Sequence, residues 1–492
     1  MKKNKFNYLK FATIILLVFS ACTKDLKVNP VSVITVTSFW KTENDAVGAL
    51  NGMYVQLKSM SETIFLAGEG RSEIHQIGPL GGAYTLSRNV LTPESPGISD
   101  WTGFYTIVNS ANLILKYVPS IPFKSEDSKN NILAQAFTMR AYVYFVMTKT
   151  WGDLIIRTEP IESSDANITQ KERSAKEEVF KFIKSDIEEA ISLFSSNDFP
   201  EGRGFWTKPG ANALKADVYL WTGKRLNGGT PDFNAALKAC NEVAKADVAL
   251  LPDFGDLFMY GNKGNKEDIM SIKYNEIDAQ NNYFWFMWII DVSIPSTIDA
   301  ATNNLLRPTG AGQNLLVLTD LVRNQFTSDD TRKKASFVEI YSHDPQGQPS
   351  YYLSIPLKGS GIVTGGLRTF SSDIVVYRYA EVLLMKAEAE NALGMDPSVE
   401  INSIRQRAYG GNYDSHVFVS GNQQQNDDAI LKERLFELIY EGKRWWDLVR
   451  FDKAFELVPA LQGRANDSYL LLFPIPTSVL NLESKVKQNP GY

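Results

Sequence analysis

Apolar positions recur with helical spacing over much of the chain. Phe104, Ile107, Val108, Ala111 and Leu115 share one face of a helix, and Asp100 is placed to cap its start. Leu133, Ala134, Phe137, Ala141, Tyr144 and Phe145 form a second stripe, which Gly152 and Asp153 end. Residues 177–194 make a third helix with acids and lysines on its wet face. Residues 211–222 and 233–246 read as an antiparallel pair, joined by the loop 224–232 with Gly228, Gly229 and Pro231. Four more helices are predicted at 377–393, 399–408, 429–440 and 443–455. Small residues on their faces, such as Ala380 and Ala387 beside Leu383 and Leu384, permit close approach of stacked hairpins. The spacing varies too much for a strict repeat, so the array is TPR-like only loosely.

The middle, about 255–376, breaks this rhythm. It is rich in Gly, Asn, Thr and Pro, and its short apolar runs at 269–274 and 283–290 predict strands. Gly359, Gly361, Gly365 and Gly366 mark loops. Long ordered loops in a compact domain usually serve function. The chain has 492 residues, more than one core usually fills, so two packed halves or an array are expected.

The first residues carry an address. Lys2, Lys3, Lys5 and Lys10 precede an apolar run, 11–19, too short to span a membrane. Ser20 and Ala21 are small, and Cys22 follows. Val18-Phe19-Ser20-Ala21-Cys22 resembles a bacterial lipobox, in which the cysteine is acylated and becomes the new N-terminus. Acyl chains contribute about 0.8 kcal/mol per buried methylene, so two or three hold a domain on a membrane. Residues 1–21 thus read as a lipoprotein signal peptide and 22–38 as a lipidated tether. Residues 39–492 read as one domain, with an N-terminal half at about 39–225 and a C-terminal helical half at about 377–492.

Charge and composition narrow the classes. Lys plus Arg number 51 and Asp plus Glu 56, and the signal segment holds four of the lysines and no acid. The remainder is therefore acidic, which disfavours nucleic acid as a partner. Two Cys and three His offer no disulfide framework and no histidine metal site. HExxH, GxSxG, Walker A and CxxC motifs are absent, so neither a metal nor a cofactor is indicated. Cys240, on a helix, reads as buried and inert.

Several segments, in order, resemble the SusD/RagB family of surface lipoproteins from Bacteroidetes. Arg140-Ala141-Tyr142-Val143-Tyr144-Phe145, followed by Trp151-Gly152-Asp153, is similar to that family's RA-aromatic helix and its closing turn. Lys215-Ala216-Asp217-Val218-Tyr219-Leu220 with Thr222-Gly223 resembles a later helix end. Arg378-Tyr379-Ala380-Glu381-Val382-Leu383-Leu384 with Ala387-Glu388-Ala389 resembles another, and Arg405 and Arg407-Ala408 match the helix after it. Glu433-Arg434, Glu437-Leu438 and Glu441-Gly442-Lys443-Arg444-Trp445-Trp446-Asp447-Leu448-Val449-Arg450 match the family's densest signature. Pro474-Ile475-Pro476 and Gln488-Asn489-Pro490-Gly491-Tyr492 match its terminus.

The resemblance implies a mostly α fold: a TPR-like helical hairpin array with long ligand-binding loops and a few short strands. It implies a lipid-anchored protein at the surface of the outer membrane. Such a protein caps a SusC-like TonB-dependent transporter as a hinged lid and delivers an oligosaccharide, or in some relatives a peptide. No catalysis and no cofactor are implied. Two other classes suit a helical lipoprotein: a lipid-anchored glycoside hydrolase, which needs two carboxylates at a set separation, and an assembly scaffold that binds only protein.

The matching residues are mostly scaffold. Arg140, Glu433, Arg434, Glu441, Arg444 and Asp447 are charges in or near apolar faces and predict buried ion pairs, because a buried charge without a partner is costly. Trp445 and Trp446 are adjacent, so at least one belongs to the core, and Tyr492 is expected to be docked. Ligand residues are expected outside the motifs, where aromatic rings stack on sugar faces and amides or arginines take hydroxyls. Tyr283, Trp285 and Trp288 lie in the densest aromatic run, with one face of a strand as core and the other as platform. The Gly-rich loop 78–89 offers Tyr84 and Arg88. Trp101 at the following helix start and Arg307 complete the candidate ligand set, and Cys22 is the candidate lipid site.

Overall fold

A computed structural model of the chain describes residues 39–82, 85–163, 165–277 and 281–492. The signal peptide, the tether, Cys22 and Tyr84 lie outside the described residues. Residues 42–492 form one compact unit. Before it, the Phe39 and Trp40 rings meet edge-on at 5.0 Å.

The longer helices are α1 (Glu43–Ser59), α2 (Ser61–Glu69), α3 (Thr102–Tyr117), α4 (Glu126–Trp151), α5 (Lys176–Leu193), α6 (Lys208–Arg225) and α7 (Gly229–Val243). After a long irregular stretch come α8 (Tyr379–Ala392), α9 (Ser398–Tyr409), α10 (Gln423–Leu438) and α11 (Arg444–Arg450). Neighbours in sequence pack side by side from α3 to α7, and α8 then docks on α7. The array therefore continues across the intervening segment as though it were absent. Alanines make the seams: Ala134, Ala190 and Ala211 meet Phe194, and Ala387 meets Ile401 and Ile430. Arg140 joins three helices with one guanidinium. It grips Asp186 of α5 with two bonds, at 2.8 and 2.7 Å, and donates to Asn112 of α3 at 2.6 Å.

Helix ends follow local chemistry. Thr42 and Asp45 cap the start of α1 reciprocally, and Thr207 caps α6. Asp100 accepts from the Thr102 backbone N–H at 2.9 Å, two residues ahead of the helix body. Gly152, with φ +79°, ends α4. The expected loop 224–232 is much shorter, because Pro231 and Asp232 fall in the first turn of α7. The predicted helix 443–455 breaks after Arg450, where Asp452 takes φ +58°.

The strands are β1 (His75–Ile77), β2 (Asp268–Ile272), β3 (Leu316–Leu318), β4 (Phe337–His343), β5 (Pro349–Pro356), β6 (Ile362–Thr364), β7 (Leu367–Thr369) and β8 (Ile374–Arg378). They form antiparallel two-stranded ladders, β1 with β3, β2 with β8, β4 with β5 and β6 with β7. Gly365 and Gly366, read as loop, are the two-residue turn of a hairpin, and both have positive φ. The expected strand at 283–290 does not form. Asn282 caps a tight turn over Tyr283–Phe286 by accepting from the Phe284 N–H. The carbonyls of Trp285, Phe286 and Trp288 then receive N–H groups from Gln313, Leu315 and Asn314. An apolar run cannot separate a strand from a buried coil whose backbone bonds are met by another loop.

Buried ion pairs tie the middle to the array. Arg378, at the β8–α8 junction, donates to Glu267 at 2.8 Å, to Glu437 at 2.6 Å and to Glu441 at 2.8 Å. Arg407 bridges Glu267 and Glu437 again. Arg332 meets Glu433 at 2.6 Å, and Lys358 meets Glu441 at 2.7 Å. Burial raises the Glu437 carboxyl, but Arg407, Arg378 and Arg332 overcome it and hold the group well below the usual range. A second cluster holds α6, α8, α10 and α11. Arg450 bonds Glu388 and Asp217, while Arg434 lies 2.8 Å from Asp447.

Asp217 supplies an acid-stability prediction. Burial raises its carboxyl, but Lys149, Arg450 and Lys443 bring it down to about 2 from the unfolded value of 3.8. Its contribution is complete above the unfolded value and disappears as pH falls through the folded one. The melting temperature of Asp217→Asn should lie well below that of the parent at pH 6, with the gap closing below about pH 2. Thermal denaturation across pH checks this; a gap independent of pH contradicts it.

Candidate functional site

A cavity of 680 Å³ opens where β1, the turn Leu86–Arg88, the short helix Asp320–Arg323 and the turn Pro459–Leu461 meet. Its position follows from pairing and capping. β1 opposes β3, His75 against Leu318 and Ile77 against Leu316. Thr319 then caps the helix by accepting from the Val322 N–H, and its hydroxyl donates to the Glu73 carbonyl at 2.7 Å. Arg71, fully buried, donates to Asn89 and to the carbonyls of Leu472 and Leu470, with its guanidinium 4.2 Å above the Trp445 ring. This pins the Leu86–Arg88 turn against the C-terminal segment. Asn89 takes φ +52°, a conformation asparagine tolerates.

Behind the cavity most polar groups are committed. Glu73 accepts two bonds from Arg444, at 2.8 and 2.6 Å. His75 Nε2 is 3.0 Å from Glu69, whose carboxylate also accepts from the Tyr440 and Gly442 N–H groups. Buried Glu73 Oε2 and His75 Nδ1 have no hydrogen-bond partner. Towards solvent the pattern reverses. Gln76 and Arg88 are exposed and their side chains make no hydrogen bond among the described residues. Leu321 and Pro459 add exposed apolar surface. A rigid floor, open amide and guanidinium donors and an apolar rim suit a polyhydroxylated ligand with apolar ring faces.

Aromatic surface sits beside this cavity on β4 and β5. Arg323, bonded to Asp320 of the cavity wall, lies 3.8 Å above the Tyr351 ring and reaches Glu339 at 3.1 Å. Tyr351 meets Tyr341 edge-on at 5.8 Å, and Tyr352 is exposed. Sequence reasoning missed these tyrosines. The alternation around Tyr351 and the turn at 344–348 were the available signal.

Of the expected ligand residues that the structure describes, Arg88 alone lines this cavity. Trp101 is buried at the start of α3, edge-on to Trp151 and Tyr105. Tyr283 is buried, stacked on Phe65 at 4.0 Å, and donates to the Tyr440 carbonyl. Trp288 is fully buried under Arg368, 4.3 Å from its ring centre, and against Phe370. These three rings are corrected to core: none has a face left for a ligand. Trp285 stays half-buried beside Glu62, whose carboxyl burial raises and a Trp285 hydrogen bond draws back. Arg307 is exposed and paired with Asp291 at 2.7 Å. Among the described residues no cluster of metal-ligating side chains occurs, and no helix is long and apolar enough to cross a membrane.

The sequence model of the SusD family matches residues 363–492, and one described as starch-binding, associating with outer membrane, matches 80–220. The structure of NanU from Bacteroides fragilis superposes with a TM-score of 0.83 at 33% identity, covering 94% of this chain and 100% of that one. The chain belongs to the SusD family. SusD-like protein P38 of Formosa agariphila is 28% identical, with both chains covered in full. The starch-binding protein SusD of Bacteroides thetaiotaomicron is 33% identical over 64% of this chain and 65% of its own length. The SusD motifs at 215–223, 378–389, 405–408 and 433–450 carry members of the buried ion-pair clusters, and the 680 Å³ cavity lies among segments outside them.

Burial separates the two tryptophans of the aromatic run. Trp288→Ala should cost about 3–5 kcal/mol of stability, and Trp285→Ala about 1. Urea denaturation monitored by circular dichroism measures both; equal costs would contradict the placement.

Proposed function

We propose that this chain is a lipid-anchored SusD-type binding protein that captures a glycan at the outer-membrane surface. It passes the glycan to a SusC-like TonB-dependent transporter. The single observation that carries the reading is the 680 Å³ cavity. Its back is fixed by Arg71, Arg444 and Glu69, and its mouth presents Gln76, Arg88 and an apolar rim. Relatives described as starch-binding support the ligand class. The lipobox ending at Cys22 supports the anchor.

Binding without turnover is favoured by the state of the cavity's carboxylates. Glu73 is held by Arg444 and Asp320 by Arg323. A glycosidase needs one protonated acid and one free carboxylate across the scissile bond. Here both acids serve as anchors for arginines. Capture rests on Arg88 and Gln76 donating to sugar hydroxyls while Leu321 and Pro459 shield a ring face.

Arg88→Ala and Gln76→Ala should each weaken binding of the cognate oligosaccharide by about tenfold. Both side chains are exposed, so melting temperature should not move. A glycan-array screen of the full chain, followed by calorimetry of each variant, tests the reading. Unchanged affinity in both variants would place capture elsewhere, and degradation of the glycan would make the protein an enzyme.

A further inference from the structure

The helical array holds a second cavity, of 410 Å³, that the proposed function does not use. It lies between α1, α4 and the connection 194–207 that leads into α6. It shares no residue with the 680 Å³ cavity. Phe199, Phe205 and Trp206 form its apolar wall. Phe205 is half-buried and edge-on to Tyr54 at 4.9 Å, and Phe199 has one face under the Arg203 guanidinium at 4.1 Å.

A chain of hydrogen bonds fixes the polar side. The Trp206 backbone N–H donates to the Tyr54 hydroxyl oxygen at 2.7 Å, and that hydroxyl donates to Gln135 Oε1 at 2.8 Å. Gln135 Nε2 donates to Asn131 Oδ1 at 2.5 Å. This consumes acceptors and leaves the Asn131 amide N–H groups without a partner among the described residues. The Asn51 amide and the Asp198 carboxylate likewise make no hydrogen bond there. Trp206 Nε1 is buried and unpartnered.

The chemistry selects a class of ligand. A volume of 410 Å³ falls within the range of about 300–1,000 Å³ for small-molecule sites. An acyl chain or apolar side chain would strip water from the exposed amides without giving them a new partner, at a cost for each. A phosphorylated or acidic sugar would want clustered arginines, whereas the lining carries one acid and one base, Asp198 and Lys208. A neutral sugar supplies an apolar ring face for Phe205 and hydroxyls for Asn51, Asn131 and Asp198.

We propose that this cavity is a second saccharide site, for one or two rings of a neutral sugar. The argument rests on its own geometry and stands apart from capture at the first cavity. Two separate sites on one chain hold a long polymer at two points, and each raises the effective concentration at the other.

The test uses the full chain in detergent with three probes: methyl α-glucoside, methyl β-galactoside and methyl N-acetyl-β-glucosaminide. Saturation-transfer difference NMR reports contact with ring protons. At least one glycoside should receive saturation from the parent and still receive it from Arg88→Ala, in which capture at the first cavity is weakened. Phe205→Ala and Asn51→Ala, each made on the Arg88→Ala chain, should lower the remaining affinity by about tenfold. Asn51 is exposed, so its variant tests the site without threatening the fold. No transfer to any probe overturns the proposal, as does transfer that survives both substitutions. Transfer lost already in Arg88→Ala also overturns it, while leaving the proposed function standing.

Discussion

A guanidinium taken out of water must find acceptors for its donors, and at Arg378 this chain supplies three carboxylates. It sits fully buried at the point where β8 turns into α8. Glu267 comes from the segment before β2, Glu437 from α10, and Glu441 from the turn after it. Arg407 shares Glu267 and Glu437, and Arg332 shares Glu437. Removing one member would leave charges without compensation, at about 3–5 kcal/mol. The middle of the chain therefore has one place to dock on the array, and α8 can stack on α7 across the long insertion.

The candidate site inherits its rigidity from neighbouring pairs of the same kind. Arg444, at the start of α11, holds Glu73 behind the first cavity. Glu69, at the end of α2, accepts from Tyr440 and Gly442. The approach is so close there that a Cβ on Gly68 would lie 2.0 Å from the Gly442 carbonyl oxygen. A site whose back is locked this way loses little freedom when a ligand binds. Only the mouth, with Gln76 and Arg88, remains exposed.

The array was legible because 3.6-residue periodicity marks buried helix faces whatever the ligand. The α3 stripe from Phe104 to Leu115 and the α8 face of Ala380, Leu384 and Ala387 were readable before any contact was known. The charges of the Glu433–Arg450 segment were readable as ion pairs for the same reason, since helices that bury Glu and Arg must pair them. The aromatic run was legible as important but not as a shape. Its rings pack inward because Asn282 caps a turn and loop 313–315 meets its carbonyls, long-range bonds that no local pattern encodes. The tyrosines of β4 and β5 were missed because their position depends on Arg323, which joins them to the cavity wall.

The measurement that tests this account most directly is native-state hydrogen exchange on the full chain and on Glu437→Gln. The substitution keeps the side chain's shape and removes one charge from the buried cluster. The account predicts that β2, β8 and α10 lose protection together while α3, α4 and α5 keep theirs. Equal loss across α3–α5, or no loss at β2 and β8, would contradict the claim that this cluster docks the middle of the chain on the array.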